Sequence, residues 1–354
     1  MRARAEILWE RPLLPHALLP LALLYGGVVR MRRGFYAKGI LPSRSLPCKV
    51  LSVGNLTVGG SGKTPMTASI AQGLKDRGHR VAILSRGYKG RREGIGGVVS
   101  DGERILLEVR DSGDEAQMLA RRLKGIPVGV GKDRYRMGLQ LWRSFQPKVI
   151  VLDDGFQHLR LRRDLDLLVV DSSFRPSGAR LLPAGPLREP LEASKAADII
   201  VITYWDPRRP AEGLERTLRT LCPSAPLFHA SASYEGFVDL SSGEVLPLEA
   251  LRGRKVCAIS GTAKPRRFFE VLRDLGLEVF GEVAREDHHL WREEELEKIM
   301  ELPGIEAVVT TEKDAVRVPS SPHPIPIYSL RMGMKVLEEG FWDSIEDRIF
   351  GGKA

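Results

Sequence analysis

The chain has 354 residues, of which 43% are hydrophobic and 28% charged, with a formal net charge of +9. This balance excludes a disordered polymer, and the length exceeds what one hydrophobic core usually fills, so two domains are expected. Cys48, Cys222 and Cys257 are scattered and lack Cys-x-x-Cys spacing, which argues against a disulfide framework or zinc site and suits a reducing cytosol.

Residues 13–29 are almost wholly apolar but are interrupted by Pro15, Pro20 and Gly26-Gly27, which puts them at the lower margin for a spanning helix. Arg2, Arg4 and Arg11 precede the run, and Arg30, Arg32 and Arg33 follow it. Basic residues on both sides argue against a cleaved signal and for an anchor lying in the cytoplasmic leaflet. The positive balance suits an anionic partner such as nucleic acid, a membrane surface or a phosphorylated substrate, and charge alone does not choose among them.

The apolar run 49–53 leads into Thr57-Val58-Gly59-Gly60-Ser61-Gly62-Lys63-Thr64, and a helical pattern through Ala68, Ile70 and Leu74 follows. Strand, glycine-rich loop and helix in that order form the context of a phosphate-binding P-loop. Backbone N–H groups freed by the glycines converge on phosphate at a helix N-terminus, where the dipole favours negative charge. Lys63 is expected to reach the β- and γ-phosphates and the Thr64 hydroxyl to ligate magnesium. Thr57 stands where the usual pattern has glycine, and its hydroxyl can itself bond a phosphate.

The alternation continues with strands at 80–85, 126–130 and 148–152 and helices at 114–123 and 133–145. Strands at 166–171 and 198–203 follow. This spacing predicts a parallel sheet covered on both faces. Short extended pieces between 223 and 247 read as a connector. A second βα series then runs through strands at 255–260, 277–283 and 307–310 and helices at 265–275 and 293–300. The expected organisation is an N-terminal membrane-associated segment 1–35, a P-loop domain 36–225, a connector 226–250 and a smaller α/β domain 251–354.

Several polar clusters carry candidate chemistry. The strand ending in Asp153-Asp154 delivers carboxylates at the C-terminal edge of the sheet, and one of them should hold the magnesium of a nucleotide. Arg188 and Glu189, between Pro186 and Pro190, can stabilise transferring phosphoryl charge and complete the metal shell, although such a pair is also common in surface turns. Asp114, in Asp111-Ser112-Gly113-Asp114-Glu115, reads by itself as an acidic helix start rather than a functional residue. Asp287-His288-His289 reads as a loop or as two metal ligands, but adjacent histidines do not share a face well, so a dedicated metal site is not expected. Thr311-Glu312-Lys313-Asp314 has the outline of the base-reading Asn-Lys-x-Asp of GTP-binding proteins but lacks its asparagine, so guanine specificity is not expected. Tyr88 can face a ligand or the core.

Taken together, Gly-Asn-Leu-Thr-Val-Gly-Gly-Ser-Gly-Lys-Thr-Pro (54–65), Leu-Ser-Arg-Gly-Tyr (84–88), Gly-Asp-Glu (113–115), Leu-Asp-Asp-Gly-Phe-Gln-His (152–158), Gly-Pro-Leu-Arg-Glu-Pro (185–190), Asp-His-His (287–289) and Thr-Glu-Lys-Asp (311–314) closely resemble the tetraacyldisaccharide 4'-kinase family. The resemblance implies an enzyme at the cytoplasmic face of the bacterial inner membrane, with two α/β/α domains and ATP and Mg2+ as cofactors. Its reaction would pass the γ-phosphate to the 4'-hydroxyl of an acylated glucosamine disaccharide 1-phosphate, giving lipid IVA. It further implies Asp114 as general base with His288 as partner, Asp153, Asp154 and Glu189 around magnesium, and Arg188 and Lys63 on the phosphates. The basic balance then suits anionic inner-membrane lipid and the acceptor's 1-phosphate, nucleic acid is not an expected partner, and a monomer is expected. The alternative function is a membrane-associated nucleotide switch that binds protein partners.

Overall fold

The computed structural model describes residues 14–351, so Arg2, Arg4 and Arg11 lie outside the described residues. Two compact units result: residues 233–333 form the smaller, and the other described residues form the larger. The chain passes between them twice, inside the strands Leu227–Asp239 and Ile327–Val336. Residues 334–351, expected with the second domain, therefore group with the larger unit.

In chain order the strands are β1 Lys49–Gly54, β2 Val81–Ser85, β3 Gly97–Ser100, β4 Val128–Val130, β5 Val149–Asp153, β6 Leu165–Asp171, β7 Ile199–Thr203, β8 Leu227–Asp239, β9 Val245–Leu246, β10 Lys255–Ser260, β11 Glu278–Ala284, β12 Ala307–Thr311 and β13 Ile327–Val336. The larger unit orders them β8-β7-β6-β1-β5-β2-β4-β3, parallel except where β3 runs against β4. Every residue of β2, β5, β6 and β7 is buried, which is why these segments read as unbroken apolar runs. The smaller unit orders its parallel strands β11-β10-β12-β13. The helix Pro265–Asp274 contributes Phe269 and Leu272 to one of its clusters, and Glu293–Met300 contributes Leu296 and Ile299 to another. At the edge, β11 alternates between exposed and half-buried residues.

The segment expected as short extended pieces is one long strand, β8, with β9 folded back against its second half through Phe237↔Leu246. Elements with no counterpart among the sequence-based expectations include β3, β13 and the helices Glu212–Leu221 and Phe341–Ile349. The last helix packs on the back of the P-loop helix Lys63–Asp76. A Cβ at Gly73 would stand 2.1 Å from the Trp342 ring, over which Arg77 lies at 4.1 Å. Gly73→Ala is therefore expected to destabilise the protein by about 1–3 kcal/mol in a urea titration, against alanine's better helix propensity. An increase in stability would mean that Trp342 moves aside freely.

Candidate active site

Each part of the P-loop is held by something the sequence supplies. At the end of β1, a Cβ on Gly54 would lie 2.4 Å from Phe156 Cβ, so only glycine lets the 154–157 turn close over the strand. Asn55 Nδ2 donates to Ser61 Oγ at 2.6 Å and to Thr57 Oγ1 at 3.2 Å, stapling the loop across its mouth. Thr203 Oγ1, at the end of β7, donates to Ser61 O at 2.9 Å. Gly62 sits at φ 78°, in left-handed geometry, and starts the helix Lys63–Asp76. The segment 186–188 pairs with the loop's first residues: Val58 N–H donates to Pro186 O, and Arg188 N–H to Leu56 O at 2.7 Å.

Two adjacent carboxylates at the end of β5 have opposite surroundings. Asp153 is buried, with Thr67 Oγ1 donating to Oδ1 at 3.1 Å and Thr64 Oγ1 at 3.5 Å from Oδ2. Burial first, and then the charges of Asp154 and Glu115, push its carboxyl up to about 7. Asp154 sits at φ 56° and accepts from Arg188 Nη1 at 3.0 and 2.8 Å, with Lys63 Nζ 3.8 Å away. Burial would raise it, but Lys63 and Arg188 outweigh that and hold it down at about 2. One carboxylate is thus saturated with cations, and the other faces hydroxyls.

Asp114 is the first residue of the helix Asp114–Arg122 and is 8% exposed. Gly113 before it has φ 79°, and a Cβ there would meet Tyr88 O at 2.8 Å. The Arg86-Gly87-Tyr88 turn after β2 therefore packs directly on the segment that presents Asp114. Tyr88 itself is exposed, with Arg86 and Lys89 each 5.9 Å from its ring centroid, so it is not a core aromatic.

Glu189, expected in the metal shell, lies against Arg33. It is 2% exposed and accepts from Arg33 Nη2 at 2.7 Å, while Tyr25 OH donates to Arg188 O at 2.7 Å and Arg32 Nη2 to Gln157 O at 3.1 Å. The helix Leu19–Ala37 is thereby fastened to the loops that carry Arg188 and the aspartates. Its Leu21, Leu23, Leu24, Val28 and Met31 remain exposed, and among the described residues no helix is long and apolar enough to cross a membrane. Of the four residues expected around magnesium, Thr64 and Asp153 approach each other, Asp154 is tied to Arg188, and Glu189 to Arg33. No group of three or more His, Cys, Asp or Glu side chains able to hold a metal occurs among the described residues.

Two residues of this edge carried no expected role. Glu115 contributes its charge to Asp153. Arg134, buried at the start of the helix Arg134–Phe145, donates to Gly131 O at 3.1 Å; burial and then Arg86 hold its pKa down at about 10, while Asp154 and Asp153 act against them. A basic residue in a first helical turn opposes the helix dipole, and that was the one signal available in the sequence.

Burial, with the nearby charges of Arg134 and Arg163, holds His158 down at about 4, against an ordinary 6.5. A neutral imidazole in the fold and a protonatable one in the unfolded chain mean that stability is full above pH 6.5 and falls as pH drops from 6.5 towards 4. His158→Gln should therefore lose less stability than the parent between pH 7 and pH 4.5 in urea titrations. Equal losses would remove His158 from the acid response.

In the smaller unit, His288 stands at φ 71°, with Nε2 3.5 Å from Asp287 Oδ2. His289 Nε2 is 2.8 Å from Glu295 Oε2, and its ring meets Trp291 edge-on. His289 is thus engaged within the local packing.

The sequence model described as tetraacyldisaccharide-1-P 4'-kinase matches residues 14–349. The tetraacyldisaccharide 4'-kinase of Pelobacter propionicus is 42% identical over 85% of this chain and 82% of its own. That of Geobacter sulfurreducens is 41% identical over 93% of this chain and 91% of its own. Among solved structures, LpxK from Aquifex aeolicus in complex with ATP is similar with a TM-score of 0.78 and 32% identity, over 95% of this chain and 100% of that one.

Proposed function

The chain belongs to the tetraacyldisaccharide 4'-kinase family, and from that premise we propose how its residues carry the reaction. It is an ATP-dependent kinase of lipid A biosynthesis that transfers the γ-phosphate to the 4'-hydroxyl of a tetraacyldisaccharide 1-phosphate. The observation that carries this reading is a P-loop with paired carboxylates and two cations at one sheet edge, inside a chain matched by the family along almost its whole length. The rival reading, a nucleotide switch that captures protein partners, has no comparable support.

A sugar hydroxyl is a weak nucleophile, so catalysis depends on in-line placement, charge neutralisation and a base within reach. Asp114 accepts the proton of the 4'-hydroxyl, with His288 as its partner. The 57–64 loop cradles the phosphates, and Lys63 and Arg188 neutralise the charge spread over the transferring group. Asp154 keeps both cations aimed at that position through its contacts at 2.8–3.8 Å. Thr64 and Asp153 present hard oxygen donors that suit magnesium, which prefers one or two protein ligands beside the nucleotide's own oxygens. When bound there, magnesium would supply charge neutralisation to the triphosphate. Glu189 is proposed to support this shell indirectly, by fixing Arg33 beneath the Arg188 loop.

The protein is proposed to act as a monomer at the cytoplasmic face of the inner membrane, with the exposed leucines of Leu19–Ala37 in the lipid surface and Arg30 beside them. Purified full-length protein, labelled ATP and disaccharide 1-phosphate in detergent micelles test the activity. Label should reach the lipid with the parent protein and not with Lys63→Ala, and ATP hydrolysis without lipid labelling would overturn the assignment. In vesicle flotation, Leu23→Asp/Leu24→Asp should reduce recovery with anionic vesicles; undiminished flotation would rule out this helix as the membrane contact.

A further inference from the structure

The Thr311–Asp314 motif is left without a role by the chemistry above, and its surroundings supply one. Thr311 ends β12 and caps the short helix Glu312–Ala315: its Oγ1 accepts from Asp314 N–H at 3.1 Å and donates to Asp314 Oδ2 at 2.7 Å. Asp314 Oδ1 accepts from Arg317 Nη2 at 2.6 Å, and both side chains are almost fully buried. The backbone N–H of Gly261 bonds the same carboxylate. An aspartate that reads a base must turn its carboxylate outward, whereas here both oxygens are occupied within the unit.

The cations of this network reach onward to one loop. Lys313 Nζ donates to Asp287 Oδ1 at 2.9 Å, and Arg317 Nη1 donates to His289 O at 2.9 Å. Gly261 O accepts from His288 N–H at 3.3 Å, and a Cβ at Gly261 would crowd both Asp314 Oδ1 and His289 Cβ. Asp287, His288 and His289 are each gripped by this framework. Holding His288 at positive φ is costly for a non-glycine residue, so the grip has work to do.

We infer that Lys313, backed by the buried Asp314–Arg317 pair, is a positioning residue that sets Asp287 and through it His288, and that the motif does not contact nucleotide. The inference rests on the role proposed for His288. Lys313 takes one oxygen of Asp287 and leaves the other towards the imidazole. Without it the carboxylate can rotate and the imidazole loses its fixed neighbour.

The test is a double-mutant cycle in the full-length enzyme, with folding checked by thermal denaturation. Lys313→Met should lower kcat by about 10- to 100-fold, as misplacement of a reacting group does, with KM for ATP within about twofold. Lys313→Arg should restore most of it. In a His288→Ala background, Lys313→Met should add little, because its effect passes through the imidazole. Full additivity, a large rise in KM for ATP, or unchanged kcat in Lys313→Met alongside an impaired His288→Ala would each overturn the inference. A fully active His288→Ala would instead overturn the role proposed for His288, and the two failures are thereby told apart.

Discussion

Asp114→Asn is expected to lower kcat by about 100- to 10,000-fold, the range general-base removal commonly gives. ATP affinity should change by less than about threefold, because the proposed role puts the carboxylate on the acceptor and not on the nucleotide. The residue is presented as such a base should be: it opens a helix, is nearly buried, and sits on a Gly113 that no side chain could replace without striking Tyr88 O. Lys63→Ala gives the contrasting pattern, since its ammonium lies at the P-loop and 3.8 Å from Asp154; both kcat and ATP binding should fall. Equilibrium ATP binding measured beside steady-state turnover separates the two. A loss of ATP binding in Asp114→Asn as large as in Lys63→Ala would remove Asp114 from the acceptor side of the site.

Much of this site was legible because local patterns and global fold agree there. The Gly59–Thr64 loop follows an apolar strand and opens a helix, and the aspartates close another strand at the same sheet edge, so the sequence alone could bring Lys63, Thr64, Asp153 and Asp154 together. Periodicity could not say which cation each carboxylate meets. The division between Asp153, on threonine hydroxyls, and Asp154, on Lys63 and Arg188, depends on a 34-residue separation closed by the pairing of 186–188 with the P-loop. The ion pair of Glu189 was hidden for the same reason: nothing local indicates that Arg33, 156 positions earlier, lies against it. The helix Phe341–Ile349 was readable in principle, since Phe341, Ile345 and Ile349 recur every four residues and are all buried. The limits of β8 were less so, because its second half alternates irregularly and crosses from one unit to the other.

The unequal surroundings of the aspartates lead to the second large effect. Asp153→Asn should lower kcat by about 100- to 1,000-fold, as removal of a preorganised charge at the transition state does. The magnesium concentration for half-maximal rate should rise by more than about tenfold, since even outer partners of metal ligands carry 10- to 100-fold in affinity. The reason is geometric: Asp153 Oδ2 and Thr64 Oγ1 lie 3.5 Å apart, and Thr67 fixes the other oxygen at 3.1 Å, leaving one hard donor pair aimed together. Asp154→Asn removes something else. Lys63 and Arg188 lose the anion that holds them, so turnover and KM for ATP should suffer while the magnesium requirement stays within about threefold of the parent, the proposed metal ligands Thr64 and Asp153 being intact. Magnesium titrations of the two variants at saturating ATP decide between these assignments. If the Asp154 variant shows the large shift and the Asp153 variant does not, the metal sits on the cation-bound carboxylate, and Arg188 must leave Asp154 during turnover to admit it.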